Sequence, residues 1–254
     1  MRVLVTGGAR RIGAAIVRRL AACGHAVAIH HHASHEDAQA LQAELAGQGN
    51  KVALVSGHLA DPAQVRGLVQ AAASALGGPV DGLVNNASIF EWDALPLADY
   101  AALDRHMHVN LGAPLVLASA LAAQVDLVEG AIVNLLDQKV GNLNPDFLSY
   151  TCSKLALAGA TELLARALAP RIRVNAVSPG LTLPSLDQSA DEFAETGGEN
   201  LLGRPVDVEE LAATAERLLV TRSITGQNVY VDCGQRFLSR DGDVMFSTRE
   251  RPHG

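Results

Sequence analysis

Aromatic residues, cysteines and long apolar runs are all scarce in this chain. Aromatics make up 4% of its 254 residues, so the 48% hydrophobic content rests mainly on aliphatic side chains, which suit buried parallel strands covered by helices. The cysteines Cys23, Cys152 and Cys233 form no C-x-x-C pair, which argues against a disulfide framework or a zinc site and favours a reducing cytoplasm. No apolar run approaches the roughly 18 residues of a membrane span.

Positive charge is also in deficit. The formal net charge of -7 disfavours a protein that binds nucleic acid non-specifically. The opening segment "MRVLVTGG" has the pattern of a strand, so we expect no signal peptide. We predict one domain over residues 1–238, followed by a polar tail of mixed charge over 239–254 that extends freely or reaches a neighbouring subunit.

Short aliphatic runs alternate with longer helical patterns. This alternation predicts an α/β fold with a single, doubly wound parallel sheet of about seven strands and helices on both faces. The predicted strands are Arg2–Thr6, Ala26–His30, Val52–Ser56, Gly82–Asn85, Ala131–Leu136, Arg173–Val177 and Asn228–Val231. The predicted helices are Ile12–Cys23, His35–Ala46, Pro62–Leu76, Leu97–Gln124, Ser149–Leu168 and Val208–Val220. Residues 181–204 show no clear strand pattern and contain Pro184, Gly197 and Gly198, which predicts a mobile substrate loop with a short helix.

A glycine-rich turn follows the first predicted strand in "VLVTGGARRIGAAI". Gly7 permits the tight turn, and Gly13 lets the next helix pack closely against the sheet. The start of that helix offers free N–H groups and the positive end of its dipole to a phosphate. The motif therefore predicts a dinucleotide site, although an ordinary glycine-rich turn is the alternative.

The second strand ends in "AIHHHAS", with no acid before Glu36 to bind a ribose 2′-hydroxyl. Arg11 can instead pair with a 2′-phosphate, assisted by Ser34 and the histidines, so we predict NADP(H) as the cofactor. The alternative is that Arg10 and Arg11 are solvated surface charges. No third ligand stands near His30 and His32, so no metal is predicted.

The segment "LLDQKVGNLNPDFLSYTCSK" carries an acid upstream of a Tyr and a Lys. Tyr150 and Lys154 stand four residues apart and share one helix face. The ammonium is expected to lower the tyrosine pKa from about 10, which would make a usable proton donor, and to reach the ribose hydroxyls. Asn110, inside a long predicted helix, can interrupt backbone bonding and hold a water.

Taken together, these motifs resemble the short-chain dehydrogenase/reductase family over residues 1–238. The matching pieces are "TGGARRIG", "NNAS", Asn110, "YTCSK", "RVNAVSPG" and "VDCG". The resemblance implies a Rossmann-type domain, a nicotinamide cofactor, a relay of Asn110, Tyr150 and Lys154, and a homotetramer formed through the helices Leu97–Gln124 and Ser149–Leu168.

Three positions indicate which members of this family the chain resembles most. Most family members have Gly in place of Arg11 and Ser in place of Asp137, and Phe90 follows "NNAS". These features are similar to pteridine reductases and their bacterial dihydromonapterin and dihydrofolate reductase relatives. The resemblance implies cofactor contacts from Gly7, Arg10, Arg11, Ile12, Gly13, His30, Ser34, Leu59, Asn86, Ala87, Ser88, Lys154, Pro179 and Gly180. It implies substrate contacts from Arg11, Ser88, Phe90, Asp137, Tyr150 and Leu181.

Asp137 indicates which class of substrate the protein reduces. A serine hydroxyl donates a hydrogen bond to a carbonyl under reduction, whereas an ionised carboxylate only accepts. Asp137 therefore favours a nitrogen heterocycle, and a stacked Phe90 favours a flat ring. We predict an NADPH-dependent pteridine reductase in which Asp137, Tyr150, Lys154 and Asn110 are catalytic. The alternatives are a carbonyl or imine reductase, or an NADPH-binding regulator without chemistry. For the individual residues, the non-functional interpretations are a strand-end cap for Asp137 and core packing for Phe90.

Overall fold

The structure is a computed structural model that describes residues 1–97, 99–185 and 188–246. Seven parallel strands form one sheet in the order β3-β2-β1-β4-β5-β6-β7. They are β1 Arg2–Val5, β2 Ala26–His31, β3 Val52–Ser56, β4 Gly82–Asn85, β5 Gly130–Leu135, β6 Ile172–Pro179 and β7 Asn228–Val231. The predicted doubly wound parallel sheet is confirmed.

Helices cover both faces of the sheet. They are α1 Arg11–Ala22, α2 His35–Gly47, α3 Pro62–Leu76, α4 Ala101–Met107, α5 Ala113–Ala122, α6 Leu148–Leu168, α7 Ala190–Thr196 and α8 Val208–Val220. The core on one face is built from α1, α2 and α8, and the core on the other from α3, α5 and the last turns of α6. Among the helices of the described ranges, none is long and apolar enough to cross a membrane.

Local sequence explains where several elements begin. The central strands β1, β4 and β5 are buried on both faces, as their mainly aliphatic sequences lead one to expect. Asp61 caps α3 by accepting a hydrogen bond from the Ala63 N–H at 2.9 Å, and Asp207 caps α8 through the Glu209 N–H at 2.8 Å. Each cap contributes about 1 kcal/mol, because it satisfies an N–H group that has no partner within the helix.

The largest departure from the predicted helices is the long segment before β5. It begins at Ala101 rather than Leu97, and five residues, His108–Gly112, form a π-helical turn between α4 and α5. The interruption predicted at Asn110 is therefore present as a widened turn, which frees backbone groups at this position.

The second departure is the tail. Its described part ends in a 3-10 turn at Val244–Phe246 that packs against its own subunit, where Met245 is 4% exposed. Met245 and Phe246 therefore pack against residues of the domain, and the boundary at residue 238 stays a prediction. Residues 247–254 of the predicted tail, and 186 and 187 of the predicted substrate loop, lie outside the described ranges. The short helix expected in that loop is α7.

Candidate active site

The candidate site lies at the carboxyl edge of the parallel sheet. The glycine turn follows β1, Asn86–Ser88 follows β4, Asp137 follows β5, and Gly180 follows β6. Because parallel strands all point the same way, their carboxyl ends bring segments distant in sequence to one edge, where open α/β sheets bind ligands. The start of α6 then supplies Tyr150 and Lys154.

Asp137 and Tyr150 form a direct pair. The Tyr150 hydroxyl donates to Asp137 Oδ2 at 2.7 Å, and the Lys139 N–H donates to the other carboxylate oxygen at 2.9 Å. Asp137 thus caps the 3-10 turn Gln138–Gly141 and also binds the phenol, so the cap interpretation and the catalytic interpretation are compatible. Asp137 keeps a partly exposed edge, while Tyr150 is buried.

The proton affinities in this pair differ from those expected. Burial, followed by the charge of Asp137, raises the pKa of Tyr150 well above its ordinary value. The prediction that Lys154 lowers this pKa is therefore wrong for the structure as it stands. The ammonium is 5.7 Å from the centre of the tyrosine ring and donates instead to the Leu135 carbonyl at 2.7 Å. Tyr150 is thus held in its protonated form, as a donor requires.

Burial also shifts the other two groups. It raises the pKa of Asp137 against the hydrogen bonds from Lys139 and Tyr150, which lower it. It lowers the pKa of Lys154 to about 8, with the charge of Asp137 opposing the shift. The site therefore contains a carboxyl group and an amine that both titrate closer to neutral pH than free side chains do.

Asn110 connects the π-helical turn to the strand end after β4. Its Oδ1 accepts hydrogen bonds from the Ile89 N–H at 2.9 Å and the Ser88 hydroxyl at 3.1 Å. Its Nδ2 donates to the Ile89 carbonyl at 3.1 Å and to the Ser153 hydroxyl at 3.0 Å. All these partners belong to the protein, so the side chain of Asn110 fixes the segment leading to Phe90.

Aromatic rings line the cleft beside Tyr150. Phe90 is 40% exposed, stacks on Phe147 with 4.1 Å between ring centres, and meets Tyr150 edge-on at 4.7 Å. Phe246 stacks behind Phe147 at 5.8 Å, and Trp92 packs against the same cluster. Since Phe90 is exposed, it is not a core residue, and its exposed surface can pack against a flat ligand.

The glycine turn has the geometry of a phosphate cradle. Gly7 has φ +59°, and a Cβ added to Gly13 would lie 2.1 Å from the Gly7 carbonyl oxygen, so only glycine fits. The side chain of Asn86 donates to the carbonyls of Thr6 and Gly7, which locks the turn to the end of β4. This arrangement leaves the first turn of α1 open to an anion and fits a dinucleotide.

Arg11 is distinctive within this turn. Its φ of +56° lies in the left-handed region that favours glycine. Most members of the family that the chain resembles have Gly at this position, in agreement with this backbone conformation. Burial and the charge of Arg10 lower the pKa of Arg11, and no carboxylate in the described ranges faces it. Arg10, by contrast, pairs with Asp37 at 3.6 Å on the surface.

His30 does not offer a ring nitrogen to a cofactor. Its ring is buried; Nδ1 accepts from the Gly7 N–H at 3.2 Å, and Nε2 donates to the Gly57 carbonyl at 3.1 Å. Burial lowers its pKa to about 4, so the ring is neutral. The predicted assistance of His30 at a 2′-phosphate is therefore corrected: this side chain supports the turn from behind.

The other predicted contact residues border the same edge. Ser34 precedes α2, and its hydroxyl makes no capping bond. The Ser88 hydroxyl points to Asn110, and the Leu181 N–H donates to the Gln235 side chain at 2.9 Å. Ile12, Leu59, Ala87, Pro179 and Gly180 are partly exposed at or near the carboxyl ends of the strands. Their contacts with a cofactor or substrate stay predictions.

The sequence analysis missed four residues that shape this site. They are Lys139, Phe147, Asp243 and Phe246. Phe147 stands three residues before Tyr150, a spacing that could have placed it on the same face. Nothing in the sequence brings Asp243, more than 100 residues away, to Lys139.

The chain is similar to known proteins in family, sequence and structure. The profile of the family described as short chain dehydrogenase matches residues 1–195. FolM alternative dihydrofolate reductase 1 from Brucella suis, solved in complex with NADP, is 44% identical at a TM-score of 0.89, covering 94% of this chain and 96% of that one. A short chain dehydrogenase from Burkholderia cenocepacia in complex with NADP is 36% identical at a TM-score of 0.85, covering 92% and 97%. The 3-oxoacyl-(acyl-carrier-protein) reductase FabG of Staphylococcus aureus is 32% identical over 238 residues, 91% of this chain and 96% of that protein.

Proposed function

Because the chain belongs to the short-chain dehydrogenase family, we propose that it is an NADPH-dependent reductase of a pteridine: a dihydropterin, dihydromonapterin or dihydrofolate. The observation that carries the proposal is the hydrogen bond of 2.7 Å between Tyr150 and Asp137, directly beside the exposed ring of Phe90. The relative named as an alternative dihydrofolate reductase supports the same substrate class.

The cofactor proposal rests on the glycine turn and Arg11. The close approach of Gly13 to Gly7 and the start of α1 suit a pyrophosphate. Arg11, which faces no carboxylate among the described residues, suits the additional charge of a 2′-phosphate. The hydroxyl of Ser34 is available at the same edge. When bound, NADPH supplies a hydride, and two relatives are solved with NADP.

The residues of the chain supply the proton and orient the ring. Tyr150 is protonated and delivers its proton to a ring nitrogen, while Asp137 accepts hydrogen bonds from the N–H and amino groups of a pterin. The buried ammonium of Lys154 lies 5.7 Å from the centre of the tyrosine ring and stabilises negative charge left on the phenol and carboxylate. Phe90 stacks on the flat ring.

Reduction of a carbonyl is the second candidate. The FabG relative supports it, and the raised pKa of Asp137 means that this carboxyl is protonated, and hence a donor, up to a higher pH than a free aspartic acid. The two candidate reactions differ in how they depend on the charge of Asp137. Binding of a pterin needs the ionised carboxylate as an acceptor, whereas reduction of a carbonyl is helped by the protonated carboxyl as a donor.

The test is NADPH consumption by the purified protein with a panel of dihydropterins and a matched panel of ketones. We expect turnover of dihydropterins, and we expect Asp137→Ser to lower kcat/KM for the pterin about 100-fold, within the range of a lost acid–base group. Asp126→Ser, the same substitution at an exposed position before β5, serves as the matched control and should change kcat/KM little. Turnover of ketones alone, improved by Asp137→Ser, would contradict the pteridine proposal.

We also propose a homotetramer in a reducing cytoplasm. Leu155 and Leu163 are exposed on α6, and Leu115 on α5, so both helices present apolar side chains that a second subunit could cover. The three cysteines are free, as a reducing compartment allows. Sedimentation equilibrium tests the assembly: we expect a tetramer, and a monomer at micromolar concentration would contradict it.

A further inference from the structure

A buried ion pair joins the C-terminal segment, residues 243–246, to the candidate site. The Lys139 ammonium contacts Asp243 Oδ2 at 2.7 Å and Asn144 Oδ1 at 2.7 Å, and the two charged side chains are 3% and 9% exposed. Burying two opposite charges is rarely a gain in stability over apolar side chains, so such a pair suggests a role in fixing a particular arrangement.

Lys139 acts on the catalytic carboxylate through its backbone. Its N–H holds Asp137 Oδ1 at 2.9 Å, while Asp137 Oδ2 binds Tyr150. The side chain of Lys139 therefore anchors the same turn that aims Asp137. In addition, its ammonium lies 5.6 Å from the centre of the Phe147 ring.

Asp243 holds the C-terminal segment from the other end. Its N–H donates to Asp146 Oδ2 at 2.7 Å, and its Oδ1 accepts from the Met245 N–H at 3.0 Å. Met245 and Phe246 then complete the aromatic cluster around Phe147 and Tyr150. Since Phe147 also stacks on Phe90, this segment supports the back of the ring that faces the cleft.

We propose that the Lys139–Asp243 ion pair is a latch: it holds the C-terminal segment as one wall of the substrate cleft and makes Lys139 a positioning residue for Asp137. This proposal rests on the proposed pteridine reductase function, because a wall of this kind is needed to hold a flat substrate. The C-terminal segment would then contribute to substrate affinity, although it lies outside the glycine turn and the motifs that contain Asn110, Tyr150 and Lys154.

The test compares Asp243→Asn and Lys139→Met with Glu162→Gln in the full chain. Glu162→Gln removes a carboxylate from an exposed ion pair with Arg166 on α6 and serves as the matched control. For Asp243→Asn we expect KM for the dihydropterin to rise about tenfold, the order of a lost aromatic contact, with an unchanged dissociation constant for NADPH. Glu162→Gln should change neither quantity.

The pH profile separates positioning from plain stability. Asp137 is faced by Lys139 from its own turn, by Tyr150 and Lys154 from α6, and by Asp243 from the C-terminal segment. Removing the positive charge of Lys139 should move the acidic limb of kcat to higher pH. Removing the negative charge of Asp243 should move it to lower pH. A purely structural pair would lower kcat in step with the melting temperature and leave the limb in place, and this would overturn the proposal.

A second readout does not depend on the substrate. Trp92 is the only tryptophan of the chain and packs against the cluster that contains Met245, so its fluorescence reports whether the segment is docked. Asp243→Asn should increase quenching of Trp92 by acrylamide, and unchanged quenching would refute the latch.

If Asp243→Asn does not fold, Phe246→Ala tests the wall alone, with the same expected rise in KM. A wild-type protein that reduces no dihydropterin would refute the proposed function, while the quenching experiment would still decide the latch.

Discussion

Replacing Arg11 by glycine and by alanine should give different results for stability and the same result for cofactor binding. Arg11 has φ +56°, where a side chain with a Cβ is strained by about 1–2 kcal/mol. Arg11→Gly relieves this strain, and Arg11→Ala retains it. Both variants remove the guanidinium.

The magnitude follows from two opposing terms. At an ordinary helical position, glycine is less stable than alanine by about 1 kcal/mol, because it loses more backbone freedom on folding. Subtracting this from a strain relief of about 1–2 kcal/mol leaves Arg11→Gly more stable than Arg11→Ala by roughly 0.5 kcal/mol. For a chain of this size, that difference corresponds to about 1–2 °C in the melting temperature.

Two assays check this reasoning. Thermal unfolding should rank the glycine variant above the alanine variant, which reverses the usual order in helices. Binding titrations should show about a 10- to 100-fold weaker affinity for NADPH in both variants, from the loss of a charge-assisted hydrogen bond, and a much smaller change for NADH. If Arg11→Ala is the more stable variant by about 1 kcal/mol, the backbone at this position is not strained. If NADPH binding is unchanged, Arg11 does not bind the 2′-phosphate.

Three further results are expected. Phe90→Leu should raise KM for a dihydropterin about tenfold with little change in NADPH affinity, because it removes the stacking ring and keeps an apolar side chain; equal kinetics to wild type would contradict stacking. The rate should fall as the pH rises through about 8, where Lys154 loses its charge; a pH profile that stays flat to pH 10 would show that the bound enzyme holds this proton far more tightly. Gly13→Ala should abolish NADPH binding in a titration, since its Cβ would lie 2.1 Å from the Gly7 carbonyl oxygen, whereas Gly67→Ala, in the open middle of α3, should bind normally.

Features that are local in sequence could be predicted, and most of the fold is of this kind. Each strand of the sheet is a short aliphatic run, and its position follows from the helices on either side, so all seven strands were predicted to within about two residues. The shared helix face of Tyr150 and Lys154 could likewise be inferred from their spacing, whereas the pairing of Asp137 with Tyr150 was implied only by the resemblance to pteridine reductases.

Features that depend on burial or on distant contacts could not be predicted. The pKa of Tyr150 rises because protein atoms and Asp137 surround the phenol, which no spacing reveals. Asp243 reaches Lys139 only because the chain folds back after β7, and a polar, charged segment gives no sign of such packing. The backbone at Arg11 is left-handed although the residue is not glycine, and only the resemblance to a family that mostly has Gly at this position indicates it.

The imidazole of His30 makes the glycine turn sensitive to acid. The pKa of His30 is about 4 in the folded protein and 6.5 in the unfolded chain. Above pH 6.5 the ring is neutral in both states, so its contribution to the free energy of unfolding is fully present. As the pH falls from 6.5 towards 4, the unfolded chain takes up the proton first, and on the order of 3 kcal/mol of stability is lost. Protonation of the folded ring would also remove the acceptor that holds the Gly7 N–H. The bridge that shapes the phosphate cradle is therefore a point at which acidification should weaken the fold and, with it, the binding of the dinucleotide.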